Sequence, residues 1–271
     1  MKTGRIHGLM QAGIKAVRDA GPIACQHFRT NLQVDNKLEG IAFDPVTEAD
    51  RAIERSIRDA LSLHDNSLAI IGEEYGLTGT GSDYWIIDPI DGTRAFVSGM
   101  LGWGILLGLV MGGRAVGGIM YQPFTDELFY GTADGSILLS KGRTTTLRCS
   151  KRTDLRDAIL YSTDPRLIQA GDLTAQFSHL AKSCRLQRWG GDCYASALVA
   201  MGSIDLVVEG PLAPYDIVPL IALVEGAGGI VSGLDGKPPM NGGAVIVAAN
   251  EKLHAAAISI LCMPAGMLAQ P

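Results

Sequence analysis

Apolar positions along the chain change their spacing from one segment to the next. Ile6, Leu9, Met10, Ile14, Val17 and Phe28 recur at helical intervals. They predict an amphipathic helix over residues 4–29, kinked or split at Pro22. A polar loop follows. Thr47-Glu48-Ala49-Asp50 then has the form of a capping box with Asp in place of Glu, and Ile53, Ile57 and Leu61 mark the helix behind it. Residues 68–71 form a short apolar strand that stops at Gly72-Glu73-Glu74. Trp85-Ile86-Ile87 form another, which stops at Asp88.

From Gly104 to Leu139 apolar runs are broken by Gly112-Gly113-Arg114, Pro123-Phe124-Thr125-Asp126 and Asp134-Gly135. These are turn signals between antiparallel strands. Beyond about Ser150 the texture alternates. Strands are predicted at 158–161, 204–208 and 244–248. Helices are predicted at 172–182, 194–201, 217–227 and 252–261, with a loose tail from Met263. The pattern predicts a mixed α+β and α/β protein. Residues 1–140 form an α+β lobe with a mostly antiparallel sheet, residues 141–271 an α/β lobe, and no flexible linker separates them.

Composition narrows the function classes. The 271 residues are 47% hydrophobic and 19% charged, so a large core is available. A net charge of −5 without a basic run argues against nucleic acid as a partner. An anionic substrate stays compatible, because bound cations can reverse the local field. The five cysteines are odd in number and include no CxxC, which points to neither a disulfide framework nor a zinc site. The start lacks the apolar core of a signal peptide, and no apolar stretch is suited to span a bilayer. A soluble cytoplasmic protein with no membrane partner is the expectation.

The chemistry is concentrated in residues 85–94, Trp-Ile-Ile-Asp-Pro-Ile-Asp-Gly-Thr-Arg. Asp88 ends an apolar strand, Pro89 stiffens the link, and Asp91 follows before a Gly-Thr step that can open a helix. Paired carboxylates suit a hard divalent cation such as Mg²⁺, and a helix N-terminus suits phosphate. Glu73, Glu74, Asp50 and Asp216 also stand where a strand stops or a helix starts. If they converge, the cluster repels itself unless cations or protons neutralise it. Asp50 and Asp216 read equally well as helix caps, and one of Glu73 and Glu74 as a solvated group. Asp88 and Asp91 have no obvious structural task.

Four ordered motifs carry a resemblance. They are Asp44-Pro-Val-Thr-Glu-Ala-Asp50, Ile71-Gly-Glu-Glu74, Trp85-Ile-Ile-Asp-Pro-Ile-Asp-Gly-Thr93, and Tyr215-Asp216 followed by Glu225-Gly-Ala-Gly-Gly229. Over these the chain resembles the inositol-monophosphatase-like Mg²⁺-dependent phosphatases. The resemblance implies a layered αβαβα sandwich, two or three Mg²⁺ ions, a small phosphorylated substrate and a homodimer. Carried over by position, Glu73, Asp88, Asp91, Asp216 and the carbonyl of Ile90 are the implied metal ligands. Asp50 is implied at a weaker metal site and as acceptor for the Thr93 hydroxyl. Gly92 and Thr93 are implied as N–H donors to phosphate. Glu73 and Thr93 are implied to orient the metal-activated water.

Two further segments resemble the histidinol-phosphate phosphatase type: Asp-Gly-Thr-Arg94 and Arg188-Trp-Gly-Gly-Asp192-Cys-Tyr194, the latter followed by Ile204-Asp-Leu-Val-Val-Glu209. Histidinol phosphate carries an ammonium and an imidazole, which Asp192 and Glu209 would pair. Arg94, Arg188, Asp192, Tyr194 and Glu209 are therefore the expected substrate residues, although Asp192 also reads as a helix N-cap. An inositol-1-phosphate or broad-specificity phosphatase is the rival in the same class. A non-catalytic phosphate-binding protein on the same fold is the rival in another. Pro219 departs from the small residue usual in the family, and falls at the third helical position if Asp216 is the N-cap. Lys37 lies in a loop that does not align cleanly.

Overall fold

The computed structural model describes residues 2–30, 35–36, 45–46 and 48–267. Lys37, Asp44, Thr47 and the end of the tail lie outside them. The chain opens with α1 (Lys2–His27), the short antiparallel pair β1 (Asp35–Asn36) and β2 (Pro45–Val46), and α2 (Glu48–His64). Next come β3 (Ala69–Gly72), β4 (Gly76–Thr78), β5 (Tyr84–Asp91) and α3 (Thr93–Ser98). A meander follows: β6 (Gly104–Met111), β7 (Arg114–Gln122), β8 (Glu127–Thr132), β9 (Gly135–Ser140) and β10 (Arg143–Thr146). These strands form one sheet in the order β10-β9-β8-β7-β6-β5-β3-β4, antiparallel except between β3 and β5.

The second half supplies β11 (Ile159–Ser162), α4 (Pro165–Ala170), α5 (Thr174–Ser183), β12 (Leu186–Trp189) and α6 (Asp192–Met201). It ends with β13 (Leu206–Leu212), α7 (Pro214–Gly226), β14 (Ile230–Gly233), β15 (Gly243–Ala248) and α8 (Glu251–Leu261). Its sheet runs β12-β11-β13-β15-β14. The first sheet ends at Thr146 and the second begins at Ile159. Stacking gives the expected αβαβα sandwich: α1 with α2, the first sheet, α6 with α7, the second sheet, and α5 with α8.

Strand alternation builds the two cores. On β5, Trp85 and Ile87 belong to the core under α1 and α2, while Ile86 belongs to the core around α6 and α7. Successive side chains of a strand face opposite sides. Asp88 therefore faces the α6–α7 side with Ile86. The sequence reading ended this strand at Asp88, but β5 continues through Asp91. Asp88 pairs with Leu106 and Asp91 with Gly104, so the β5 side holds one residue more than its partner between these pairs. That bulge re-aims the chain at Pro89-Ile90 and delivers the second carboxylate.

A row of glycines positions α7. Gly108 pairs with Gly118, and Gly118 with Gly131, in line across β6, β7 and β8. A Cβ on Gly118 would lie 1.8 Å from the Pro219 carbonyl oxygen, and one on Gly131 would lie 2.4 Å from Leu223 Cα. The helix backbone sits directly in this trough, where any side chain would overpack it. Pro219 is not at the third helical position. The N-cap is Ala213, Pro214 is the first helical residue and Asp216 the third, so Pro219 lies in the helix interior. There its ring has no N–H for the Tyr215 carbonyl. Asp216 is accordingly not the N-cap. Its Oδ2 reaches back to accept the Ala213 N–H at 2.8 Å.

The remaining differences have local causes. Pro22 does not split α1, which runs unbroken from Lys2 to His27 with Pro22 on its exposed face. The strands β4, β10, β12 and β14 and the helix α4 escape the pattern because they are short. All four residues of β10 are exposed, leaving no apolar alternation to read.

Candidate active site

The loops at the C-terminal end of β5 and the N-termini of α6 and α7 enclose a cavity of about 310 Å³. Glu73, Asp88, Ile90, Asp91, Gly92, Thr93 and Arg94 line it from the first half of the chain, and Thr163, Asp192, Glu209, Tyr215 and Asp216 from the second. Asp88, Asp91 and Asp216 each offer one oxygen, and these atoms all lie within 4.8 Å of one another. The Glu73 carboxyl lies within hydrogen-bonding reach of Asp88.

Electrostatics bear on what this cluster can hold. Burial pushes the Asp88 carboxyl well above the usual carboxylate range, and the neighbouring charges of Glu73, Asp91 and Asp216 push it further. Burial and the charges of Asp216 and Asp192 raise Asp91 likewise, against the N–H of Cys193, which donates to Asp91 Oδ2 at 2.8 Å. That N–H belongs to the first turn of α6, a helix end that favours anions. Hard oxygen donors crowded in a buried site must take up protons or cations. The set therefore fits Mg²⁺ in its donor type and charge.

Local geometry fixes the supporting atoms. Asp88 Oδ1 accepts the Ile90 N–H at 3.0 Å, and the Ile90 carbonyl accepts the Thr93 hydroxyl at 3.0 Å. Thr93 has one hydroxyl proton, so its donation to Ile90 replaces the expected donation to Asp50. Asp50 is buried in the first turn of α2 and is not among the residues lining the cavity. Gly92 has a left-handed backbone with φ of 81°, and a Cβ there would lie 2.8 Å from the Gly102 carbonyl and 3.1 Å from Asp192 Cβ. Only glycine lets the two sides approach so closely.

A second acidic pair, Asp192 and Glu209, lines the same cavity. Glu209 is almost fully buried on β13. It accepts the Thr163 hydroxyl at 2.9 Å and the Thr163 N–H at 3.2 Å, and Ser162 Oγ lies at 3.4 Å. Thr163 Oγ1 in turn accepts the Asp192 N–H at 3.1 Å. Burial lifts Glu209 to about 8 despite these donors, and lifts Asp192 to about 7 despite Arg94. Asp192 is the first residue of α6 rather than its cap, which is Gly191, and it carries a positive φ of 42°. The Arg94 guanidinium lies 3.8 Å from Asp164 and lines the cavity.

Two expected substrate residues are not brought here. Tyr194 donates its hydroxyl to Glu127 Oε2 at 2.6 Å and sets its ring edge-on to Phe129. Two helical residues beyond Asp192 correspond to about 200° of rotation, which turns Tyr194 from the cavity toward β8. Arg188 lies exposed on the edge strand β12 and does not line the cavity. Sequence reading missed Thr163 and Asp164. The available signal was their place directly after an apolar strand that ends toward the cavity.

Comparison with known proteins agrees with this architecture. The model of the inositol monophosphatase family matches residues 7–263. The chain is 34% identical to the chloroplastic bifunctional phosphatase IMPL2 of Arabidopsis thaliana over 82% of its own length, and it spans 63% of that longer protein. It is 34% identical to the histidinol-phosphatase of Streptomyces coelicolor, over 83% of this chain and 85% of that one. An inositol monophosphatase structure from Zymomonas mobilis superposes with a TM-score of 0.81 at 34% identity, over 93% of this chain and 97% of that one. The sandwich fold is that of an inositol monophosphatase structure, and the relatives named above are phosphatases. The chain belongs to the inositol monophosphatase family.

Proposed function

We propose that the protein hydrolyses L-histidinol phosphate with Mg²⁺ held by Glu73, Asp88, Asp91, Asp216 and the Ile90 carbonyl. Bound Mg²⁺ supplies positive charge for the phosphate oxygens and acidifies an attacking water. Glu73 would accept a hydrogen bond from such a water and orient it. Thr93 gives its own proton to Ile90, which leaves its oxygen free to accept from the same water. The N–H groups of Gly92 and Thr93 orient the phosphate. Asp50, buried behind, contributes to a weaker cation site.

The observation that carries the substrate choice is the Asp192–Thr163–Glu209 array. Two carboxyls with raised proton affinity, Glu209 buried and Asp192 half-buried, line the same cavity as the metal cluster. A substrate that brings an ammonium or imidazolium to them restores their charge and gains charge-assisted hydrogen bonds. A polyol has no cation to offer. The likeness to a histidinol-phosphatase supports this reading, and the likeness to an inositol monophosphatase supports inositol 1-phosphate as the second reading.

The test is phosphate release from both esters, each with Mg²⁺ and with EDTA. EDTA-sensitive release, with histidinol phosphate preferred in kcat/KM, is the expected result. Preference for inositol 1-phosphate would overturn the substrate assignment. Absence of EDTA-sensitive release from any small phosphomonoester would favour a non-catalytic phosphate-binding role instead.

A further inference from the structure

Glu54 is fully buried on α2 and does not line the cavity. Its Oε2 accepts the N–H of Glu74 at 2.7 Å, and its Oε1 accepts the N–H of Tyr75 at 3.2 Å. Arg58, one turn further along α2, donates from Nε to the same Oε1 at 2.7 Å. The Arg58 terminal nitrogens donate to Thr78 Oγ1 at 2.9 Å and to the Gly76 carbonyl. A buried carboxylate costs several kcal/mol unless it is paired and hydrogen-bonded, and this one is both.

The two amides it holds are the first two after Glu73. Glu73 itself donates its N–H to the Ile87 carbonyl at 3.2 Å. Residues 73–75 are therefore fixed to β5 on one side and to α2 on the other. The three residues of β4 are exposed, and the hairpin is held further by the β3–β4 ladder and by Arg55, which donates to the Tyr75 hydroxyl at 2.6 Å. At Gly72 a Cβ would lie 2.0 Å from Glu54 Oε1, so the missing side chain is what lets the carboxylate reach the backbone. An apolar residue there would leave the amides of Glu74 and Tyr75 and the Arg58 guanidinium without this acceptor, so the carboxylate is what ties the segment next to Glu73 to α2.

We infer that Glu54, braced by Arg58, is a positioning residue that sets the direction of the Glu73 carboxylate toward the cation site. The inference rests on the reading of Glu73 as a metal ligand. Groups that orient a ligand from behind change metal affinity or activity by roughly tenfold or more when lost. A residue that serves only the fold lowers thermal stability and leaves cation affinity alone in the molecules that remain folded.

The test is Mg²⁺ titration of the substrate-free protein by calorimetry, for the wild type and for Glu54→Gln, with folding checked by circular dichroism. The expected result is a Kd for Mg²⁺ raised roughly tenfold, together with faster amide exchange at Glu74 and Tyr75. In a Glu73→Gln background, Glu54→Gln should weaken binding no further. A folded Glu54→Gln protein with unchanged Mg²⁺ affinity, or full additivity with Glu73→Gln, would overturn the inference alone. A wild type that binds no Mg²⁺ would remove the underlying reading of Glu73 as well. Should Glu54→Gln fail to fold, Arg58→Lys keeps the charge but loses the fork to Thr78 and Gly76. It should also weaken Mg²⁺ binding, and unchanged affinity there would overturn the inference.

Discussion

Gly118→Ala tests how a fold feature remote from the cavity holds the carboxylate cluster. The added Cβ would stand 1.8 Å from the Pro219 carbonyl oxygen. To reach ordinary contact, α7 must retreat by roughly 1.5 Å, because non-bonded heavy atoms settle near 3.5 Å. The Cβ is fixed in place by the backbone and its partner is a backbone oxygen, so no rotamer change can relieve the clash. Overpacking of this kind costs about 3 kcal/mol, the upper end of its usual range. The same shift carries Asp216, one turn before Pro219, away from Asp88 and Asp91. A displacement of about 1 Å in a catalytic array costs on the order of 100-fold in rate. The assay pairs urea denaturation with Mg²⁺ titration and phosphate release under conditions where the variant is folded. Gly8→Ala is the control, since it lies on the exposed face of α1 with no atom near its Cβ. It should stabilise the protein by about 0.5–1 kcal/mol and leave turnover intact. A Gly118→Ala protein with wild-type stability, Mg²⁺ affinity and turnover would refute the reasoning.

Asp91→Asn should abolish turnover while the metal-free protein becomes more stable near neutral pH, because burial and like charges disfavour the carboxylate it replaces; normal Mg²⁺-supported activity would contradict the assignment. Asp192→Asn has a worked sign. The folded carboxyl titrates at about 7 and the unfolded one near its ordinary value. The two agree at low pH, and the native state of the wild type loses stability as pH rises from about 4 to 7, by at most about 4 kcal/mol. The variant removes that loss, and Asn tolerates the positive φ at this position. Chemical denaturation of the metal-free proteins at pH 4 and pH 8 measures it, and equal differences at both would show that the carboxyl is not raised. Tyr194→Phe removes the hydroxyl that bonds Glu127 and should cost about 1 kcal/mol, with KM for histidinol phosphate unchanged; a large rise in KM would return Tyr194 to the substrate pocket.

The order of helices and strands was legible wherever a segment carried enough apolar positions to show a period. Elements of a single turn or a few strand residues had no period to show. Asp88 and Asp91 were legible as a pair because one strand end carries both, and the bulge between them is a local event. Their partner Asp216 was legible by position only as one candidate carboxylate at a helix start, and as a metal ligand only through resemblance. Spacing alone left it as a cap, and in the structure it does close the start of α7 while also facing the cavity.

What the sequence determined by itself is therefore local: which residues form strands, where carboxylates end them, and that oxygen donors and a helix start lie together between Asp88 and Thr93. Tertiary structure decided the rest. The glycine row across β6, β7 and β8 sets how near α7 approaches, and hence where Asp216 stands. The pairing of β11 with β13 sets Thr163 against Glu209, while the rotation of α6 keeps Asp192 in the cavity and removes Tyr194 from it. These are contacts between residues distant along the chain. They depend on the packing distance and orientation of whole elements, which no local period encodes.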